Sequence, residues 1–539
     1  MSTALEFDYV IVGAGSAGCV LAGRLSEDPG VSVALLEAGG RDDSVLIRAP
    51  LGFAAGAPVG LNTARYDTLP QPGLNGRRGF QPRGRVLGGS SAINAMMYVR
   101  GAPSDYDAWA AAGNPGWGWA DVLPYFKRLE HNDCFPHSDA HGHDGPMHIN
   151  WLRSPMPIVQ DFLDACEQRG VARNLDYNAG RQDGCWPTQV TQQGGERCSA
   201  AHAYLAPNLR RPNLRIFARA QALRLTLQDQ RATGVHAALD GKEATLHARR
   251  EVIVSGGAYG SPQLLMCSGI GPGAHLQSLG IPVLHDLPGV GSGLQDHITA
   301  TLIWRTPRTD GTLGVSLTGG AAIVRAIGQW RRERTGLITS NVAEAGAFLR
   351  TTPDGPAPEI ELELIVGMVD NHNRNLHLGH GYSLHITLMR PASRGSVRLA
   401  SPDARQAPLI DPNYFGDARD MPSLVAGVQQ ALGIMDAPAL DGWRGPMLYP
   451  VSANDPQSIE SEIRRRGDTE YHPCSSCRMG PRTDSQAVVD AELRVHGIQA
   501  LRVVDASIMP AVTTGNTNGP TLMIAEKAAE LIRKQQACA

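Results

Sequence analysis

Much of what this chain does is narrowed by what it has little of. No uninterrupted apolar run reaches the roughly 18–20 residues that would carry a helix across a bilayer, so no membrane span is predicted. Neither sign of charge is in excess: Lys and Arg number 49 against 52 Asp and Glu, a formal net charge of −3. The basic residues are spread along the chain, which removes the electrostatic footprint of a nucleic-acid binder. The densest basic run, Arg464-Arg465-Arg466, reads as a solvated helix end. Aromatic residues make up only 5%, a thin supply for any site that needs a cage of rings. The opening "MSTALEFDYVIVGAG" lacks the basic region, apolar stretch and cleavage site of a secretory signal. The nine cysteines, at 19, 134, 166, 185, 198, 267, 474, 477 and 538, follow no repeated spacing. Reduced thiols and a cytoplasmic location are therefore expected, with peripheral association at a membrane left open.

What is present points to a large folded protein. At 539 residues and 42% hydrophobic content the chain is expected to form more than one domain, and 61 glycines with 37 prolines imply many turns and close backbone approaches. No internal repeat is visible. The run "FDYVIV" ending at Val12 leads into Gly13-Ala-Gly15-Ser-Ala-Gly18, then a helical stretch, then a second strand-like run "VSVALLE" ending at Glu37. This is a βαβ unit with a dinucleotide fingerprint on its first turn. Gly13 permits the turn, Gly15 lets backbone approach a pyrophosphate, Gly18 lets helix pack on strand, and Glu37 can accept from a ribose diol. Ser16 and Ala17 open the helix, whose free N–H groups suit a phosphate, and Ala38 follows the acid. The fingerprint does not separate NAD from FAD.

Four further segments decide between them. "GRVLGGSSAINAMMYVRG" (84–101), "GAYGSPQLLMCSGIG" (257–271), "YHPCSSCRMG" (471–480) and "RVVDASIMPAVTTGNTNGPTLMIAEKAAELI" (502–532) occur in this order along essentially the whole chain. Together with the fingerprint they resemble the glucose-methanol-choline family of FAD oxidoreductases. The resemblance implies an α/β (α+β) fold: a Rossmann-like FAD-binding domain with an added antiparallel layer, and a second, substrate-binding domain built on an antiparallel sheet. The expected division is 1–155, 200–300 and 465–539 for the FAD domain, 301–464 for the substrate domain, and 156–199 for a lid or substrate-domain segment. Within 301–464, "GYSLHITLMRPASRGSVRLASPD" reads as two strands joined by a turn at Ser393-Arg394-Gly395. In the second segment Ser261 is expected to cap a helix that has Pro262 at its first position.

The resemblance also implies which residues hold the flavin: Gly88, Gly89, Asn94, Ala95, Met96 and Met97 along the ring, Ala222 and Ser255 towards the adenine side, and Asp505, Ala506, Asn516 and Thr517 from the C-terminal segment. Some relatives attach FAD through a histidine in the "GGSS" loop; this chain has Ile93 there, so the FAD is expected to be non-covalent.

The implied reaction is oxidation of a primary alcohol to the aldehyde, by removal of the hydroxyl proton and passage of a hydride from the α-carbon to flavin N5. It requires a base of near-neutral pKa and a hydrogen-bond partner for the alcohol oxygen. His472 is assigned as the base and Asn516, 44 residues later, as its partner; Asn518 is near enough to take that place while Asn516 caps a turn. His297 in "LQDHI" is the alternative imidazole, read as a structural residue at the domain boundary. Cys474 and Cys477 form a CxxC, but no second CxxC or histidine pair completes a zinc site. No metal is expected, and the cysteines are read as packing residues. Relatives commonly have Gly-Thr where this chain has Ser475-Ser476.

"GLITSNVAEAGAFLR" and "APLIDPNYF" resemble the bacterial branch with choline, alkanol and polyethylene glycol dehydrogenases. An aliphatic or aryl primary alcohol is the first expectation for the substrate and choline the second, with Tyr66 and Glu344 as candidate substrate contacts. The expected electron acceptor is quinone-like, with an oxygen-using oxidase as the alternative. A hydroxynitrile lyase with non-redox FAD and a non-enzymatic flavin-binding scaffold are the readings from other classes.

Overall fold

The computed structural model describes residues 5–56 and 59–537; Cys538 lies outside them. The all-apolar end of the first strand, Leu5–Val12, sits at the centre of a seven-stranded sheet, with Val10, Ile11 and the facing Leu35 and Ile253 fully buried. Four strands lie parallel around it. Val33–Leu36 and then Leu214–Phe217 extend one side, and the end of Lys242–Val254 followed by Leu501–Val503 extends the other. Lys242–Val254 is 13 residues long, and its first half leaves this layer to pair antiparallel with Arg231–Leu239, which pairs with Ala220–Gln228. Runs buried on both faces make the parallel part, and strands with alternating exposure make the meander, as each kind of sheet requires. The helix Ser16–Leu25 packs against the C-terminal helix Asn518–Ala537, where Arg24 and Tyr204 both reach the buried Glu526.

The second sheet is antiparallel, in the order Asp468–Thr469, Ile298–Arg305, Gly379–Leu388, Ile360–Ile365, Ala343–Leu349, Gly184–Pro187. Its strands thus reach a few residues beyond the 301–464 span expected from sequence and include part of 156–199. Period-two alternation assigns its faces. Ile298, Ala300, Leu362, Leu364, Leu384 and Ile386 pack in one core with residues of the helices Ile158–Gln168, Asp420–Met435 and Pro456–Arg466. The alternate residues, Thr299, Glu361, Glu363, His385 and Thr387, form the other face.

Two local expectations are corrected. The strands Gly379–Leu388 and Gly395–Arg398 do not form a hairpin: the second belongs to a small sheet with Ser292–Leu294 and Leu409–Asp411, because the chain runs irregularly through Pro391 and Ser393. The helix expected to start at Ser261 begins at Gly257 and runs to Cys267, with Pro262 inside it. Pro262 removes the N–H that would bond the Ala258 carbonyl, and the Ser476 hydroxyl donates to that carbonyl instead at 2.5 Å. A partner from another segment thus relieves the proline penalty. Of the basic run, Arg464 and Arg465 pair with Glu460 and Glu462, while the less exposed Arg466 reaches Asp370 at 2.6 Å.

Candidate active site

His472 is placed by the tripeptide Gln295-Asp296-His297, which lies antiparallel to its segment. Glu470 N–H donates to the His297 carbonyl, His472 N–H to the Asp296 carboxylate, and Cys474 N–H to the Gln295 carbonyl, all at 2.9 Å. Asp296 is buried and also accepts from the Tyr414 and Thr469 hydroxyls, so its grip on His472 is itself fixed.

The two imidazoles then set one another's protons. His297 Nε2 lies 3.0 Å from the Met389 carbonyl, which only accepts, so this nitrogen carries the hydrogen. His297 is fully buried and its pKa is pushed down to about 4, so it is neutral and its Nδ1 is a lone pair. That lone pair meets His472 Nδ1 at 2.9 Å, so the His472 hydrogen is on Nδ1 and its Nε2 is the free base. Burial, then the neighbouring His297, hold His472 well below the usual imidazole range. Its Nε2 is 3.3 Å from Asn516 Nδ2, which is also 3.4 Å from Glu363 Oε1. Asn518 instead accepts from the Ser16 hydroxyl at 2.7 Å, joining the C-terminal helix to the fingerprint.

The glycine-rich segments converge on one another. Gly13 takes φ +99°, and a Cβ there would stand 2.4 Å from the Ser255 carbonyl oxygen. A Cβ on Gly89 would stand 2.6 Å from Gly15 Cα, so the two glycine loops touch back to back, with Gly88 N–H donating to the Ala14 carbonyl at 2.8 Å. Glu37 accepts from the Ala14 and Gly39 N–H groups, and burial pushes its carboxyl up to about 7. Ser255 donates to the Val504 carbonyl, while Asp505 accepts from Gly257, Ser261 and Ser507.

Family models described as GMC oxidoreductase match residues 7–299 and 391–525. The chain belongs to the GMC oxidoreductases. It is 42% identical over 98% of its length, and 95% of the relative's, to an alcohol dehydrogenase [acceptor] of Pseudomonas putida. It is 44% identical over 99% of its length, and 95% of the relative's, to an oxygen-dependent choline dehydrogenase of Burkholderia pseudomallei. Among solved structures, pyridoxine 4-oxidase from Mesorbium loti superposes with a TM-score of 0.87 at 33% identity, covering 98% of this chain and 99% of that one. The protein is therefore a flavoenzyme, an oxidoreductase acting on CH–OH donors.

As a GMC oxidoreductase it binds FAD, and its residues fit that group. At Gly15 and Gly257 there is open space in which a Cβ would touch no described residue within 4 Å, and Gly15 caps the helix Ser16–Leu25, whose first N–H groups suit a diphosphate. Ala17 is buried in that helix, and Ala38 and Ala222 are half-buried near the Glu37 end of the sheet, where Ala220 N–H donates to the Glu37 carbonyl. Asn94 has another partner: its Oδ1 accepts from Arg197 Nη1 at 2.7 Å and from Met96 N–H. Met96 holds φ +58°, the Ala95 carbonyl accepts from Asn341, and Met97 bridges Val190. Ala506 opens a short turn, and the Thr517 carbonyl accepts from Thr521 in the C-terminal helix.

Both candidate substrate contacts have partners within the chain. Glu344 accepts from Met156 N–H and the Ser340 hydroxyl, one on each oxygen, and Tyr66 packs edge-on against Tyr259 at 5.8 Å. Sequence reasoning missed two features. One is the contact of His297 with His472; the other is the strand "IELELI", whose alternation carries Glu361 and Glu363 to the Asn516 side of the sheet and could have been read from its period.

Cys474 and Cys477 are buried free thiols. Burial pushes Cys474 up to about 12 and Cys477 higher than its usual range, so both stay protonated and are poor nucleophiles and ligands. A Cys474→Ala, Cys477→Ala double variant is expected to keep the wild-type rate of flavin reduction by alcohol; loss of that rate with FAD retained would give the thiols a chemical role. Ser475 sits at φ +69°, a conformation costly for a side chain and free for glycine. Ser475→Gly is expected to raise stability by about 1 kcal/mol, read as a higher Tm of the holoenzyme; an unchanged or lower Tm would refute the strain.

Proposed function

We propose that this enzyme oxidises a primary alcohol to the aldehyde, with His472 as the base and Asn516 as the amide that holds the alcohol oxygen. The observation carrying this reading is the chain of contacts His472 Nδ1, His297 Nδ1, His297 Nε2, Met389 carbonyl, whose only consistent proton assignment leaves a lone pair on His472 Nε2 beside the Asn516 amide. Nε2 takes the hydroxyl proton. The imidazolium so formed is stabilised by His297 Nδ1, which accepts from it throughout. Asn516 Nδ2 donates to the substrate oxygen and fixes the direction of the transfer. FAD, when bound, supplies the acceptor for the hydride of the α-carbon. It is held non-covalently by Gly13, Gly15, Ser16, Glu37, Gly88, Gly89, Ser255 and Asp505 with their neighbours, since Ile93 offers no atom for attachment.

Electrons pass on to a quinone-like acceptor. The name of the Pseudomonas putida relative specifies an acceptor without naming oxygen, which supports an acceptor other than oxygen; the oxygen-dependent naming of the Burkholderia relatives supports oxygen as the second reading. Anaerobic mixing of the holoenzyme with a panel of alcohols should bleach the flavin, admission of air should recolour it only slowly, and addition of a quinone should recolour it rapidly. Rapid recolouring with peroxide would mark an oxidase. If no alcohol bleaches the flavin, the proposed oxidation fails.

A further inference from the structure

Beside the proposed base lies a group of charges that the steps above leave unused. On the strand Ile360–Ile365, Glu361 and Glu363 stand on the face opposite the helix-packed core, and across the ladder Glu363 meets His385. Glu470, two residues before His472, lies 3.3 Å from His385 Nδ1. One donor atom each of Glu363, His385 and Glu470 falls within 4.8 Å of the others.

Glu361 shows what the group is built for. Its side chain is 0% exposed, and neither carboxylate oxygen has a hydrogen-bond partner among the described residues. His385 Nε2 and Asn516 Oδ1 are also buried without partners among those residues. A buried carboxylate left unsatisfied is costly unless something pairs with it. Burial, then repulsion from Glu470, push the Glu361 and Glu363 carboxyls well above their usual range, and a neighbouring cation would bring both down. The position is also informative. Glu363 is 3.4 Å from the Asn516 amide, which is 3.3 Å from His472 Nε2, so the acidic group starts one hydrogen bond away from the atoms that handle the hydroxyl.

We propose that Glu361, Glu363 and Glu470 form a substrate subsite for a protonated amine, making amino alcohols, with the nitrogen a few bonds from the hydroxyl, the preferred substrates. This rests on the alcohol-oxidation reading above. The number of N–H donors separates this class from choline. A primary ammonium offers three donors, enough for Glu361 and its neighbours, whereas a quaternary ammonium offers none and is held by aromatic faces.

The test compares 3-aminopropan-1-ol, its neutral counterpart butan-1-ol, and choline, by anaerobic flavin reduction in the holoenzyme at pH 7.5. One charge-assisted hydrogen bond is worth about tenfold or more, so kcat/KM should favour 3-aminopropan-1-ol over both others by at least about tenfold. Glu361→Gln and Glu363→Gln should each reduce the ratio of 3-aminopropan-1-ol to butan-1-ol by about that factor, a ratio unaffected by general loss of activity. Propan-1-amine, which has no hydroxyl, should perturb the spectrum of the oxidised holoenzyme on titration and fail to do so in the Gln variants.

Equal use of the amino and neutral alcohols, a preference for choline, or an unchanged ratio in both variants would overturn the subsite. So would one divalent metal ion per chain whose removal by chelation abolishes bleaching, since the ion would then own these carboxylates. Bleaching by butan-1-ol without an advantage for the amine defeats the subsite and leaves alcohol oxidation standing. If no alcohol bleaches, alcohol oxidation falls, and the propan-1-amine titration still judges the subsite.

Discussion

His472→Ala is expected to slow anaerobic flavin reduction by a saturating alcohol by about 10²–10⁴-fold, the usual worth of a positioned general base, while the flavin content of the purified protein stays the same. The rate should fall in kcat and kcat/KM together, since the lost interaction is one made as the proton moves. The neighbouring imidazole provides the control. His297 touches no reacting atom in this scheme; it holds His472 in the Nδ1–H tautomer by accepting at 2.9 Å while donating to Met389. His297→Leu should therefore give a smaller loss than His472→Ala, and the double variant should be no slower than His472→Ala alone, because the two act as one unit. Additive losses would show that His297 acts independently. The pH profile separates the roles further. With His472 held well below the usual imidazole range by burial, Nε2 is unprotonated across neutral pH, so kcat/KM should be flat there and fall only on the acid side of about 6.5. An inflection at or above neutrality would mean that another group is the base.

The parts of this site that sequence made legible are those whose chemistry is local. Gly13, Gly15 and Gly18 followed by an acid at Glu37 need only one βαβ unit to make sense, and the structure builds that unit at the centre of the first sheet. The motif around His472 likewise spans only ten residues, and the role proposed for it comes from the resemblance of that segment to the family's. What could not be read depends on distance. His297 and His472 are 175 residues apart, and neither segment alone shows that one lies antiparallel to the other. The helix at Gly257 was misplaced for the same reason: the rule that puts proline at a helix start assumes that the freed carbonyl finds nothing else, and here Ser476, 218 residues away, satisfies it. The strands around Ser393 were each recognised, but their pairing is a choice between sheets that adjacency in sequence does not make. Glu361 and Glu363 are different in kind. Their period-two spacing among Ile and Leu was on view and marks a polar sheet face, yet only the neighbouring Asn516 and Glu470 give that face a use.

Acidification between pH 6.5 and 4 should destabilise the folded enzyme through the same histidine pair. His297 has an ordinary pKa near 6.5 in the unfolded chain and about 4 in the folded one, the difference arising first from burial. Between those values the unfolded chain binds a proton that the folded chain refuses, so stability falls as pH falls and is fully present only above about 6.5. At 1.36 kcal/mol per unit, His297 alone accounts for about 3 kcal/mol lost by pH 4 and about 2 kcal/mol by pH 5. His472 is shifted in the same direction and adds to the loss. His141 works the opposite way: its hydrogen bonds to Asp176 and Glu130 outweigh burial and raise its pKa, so its contribution is present at acid pH and is lost as pH rises through its folded value. A difference between variants isolates the His297 share from this background. The Tm of the wild-type holoenzyme should drop between pH 7 and pH 5, and His297→Leu, though less stable at pH 7 for want of its hydrogen bonds, should drop less over the same interval. Equal drops would mean that burial does not hold the His297 pKa below its ordinary value, and the acid sensitivity assigned to this pair would have to be given up.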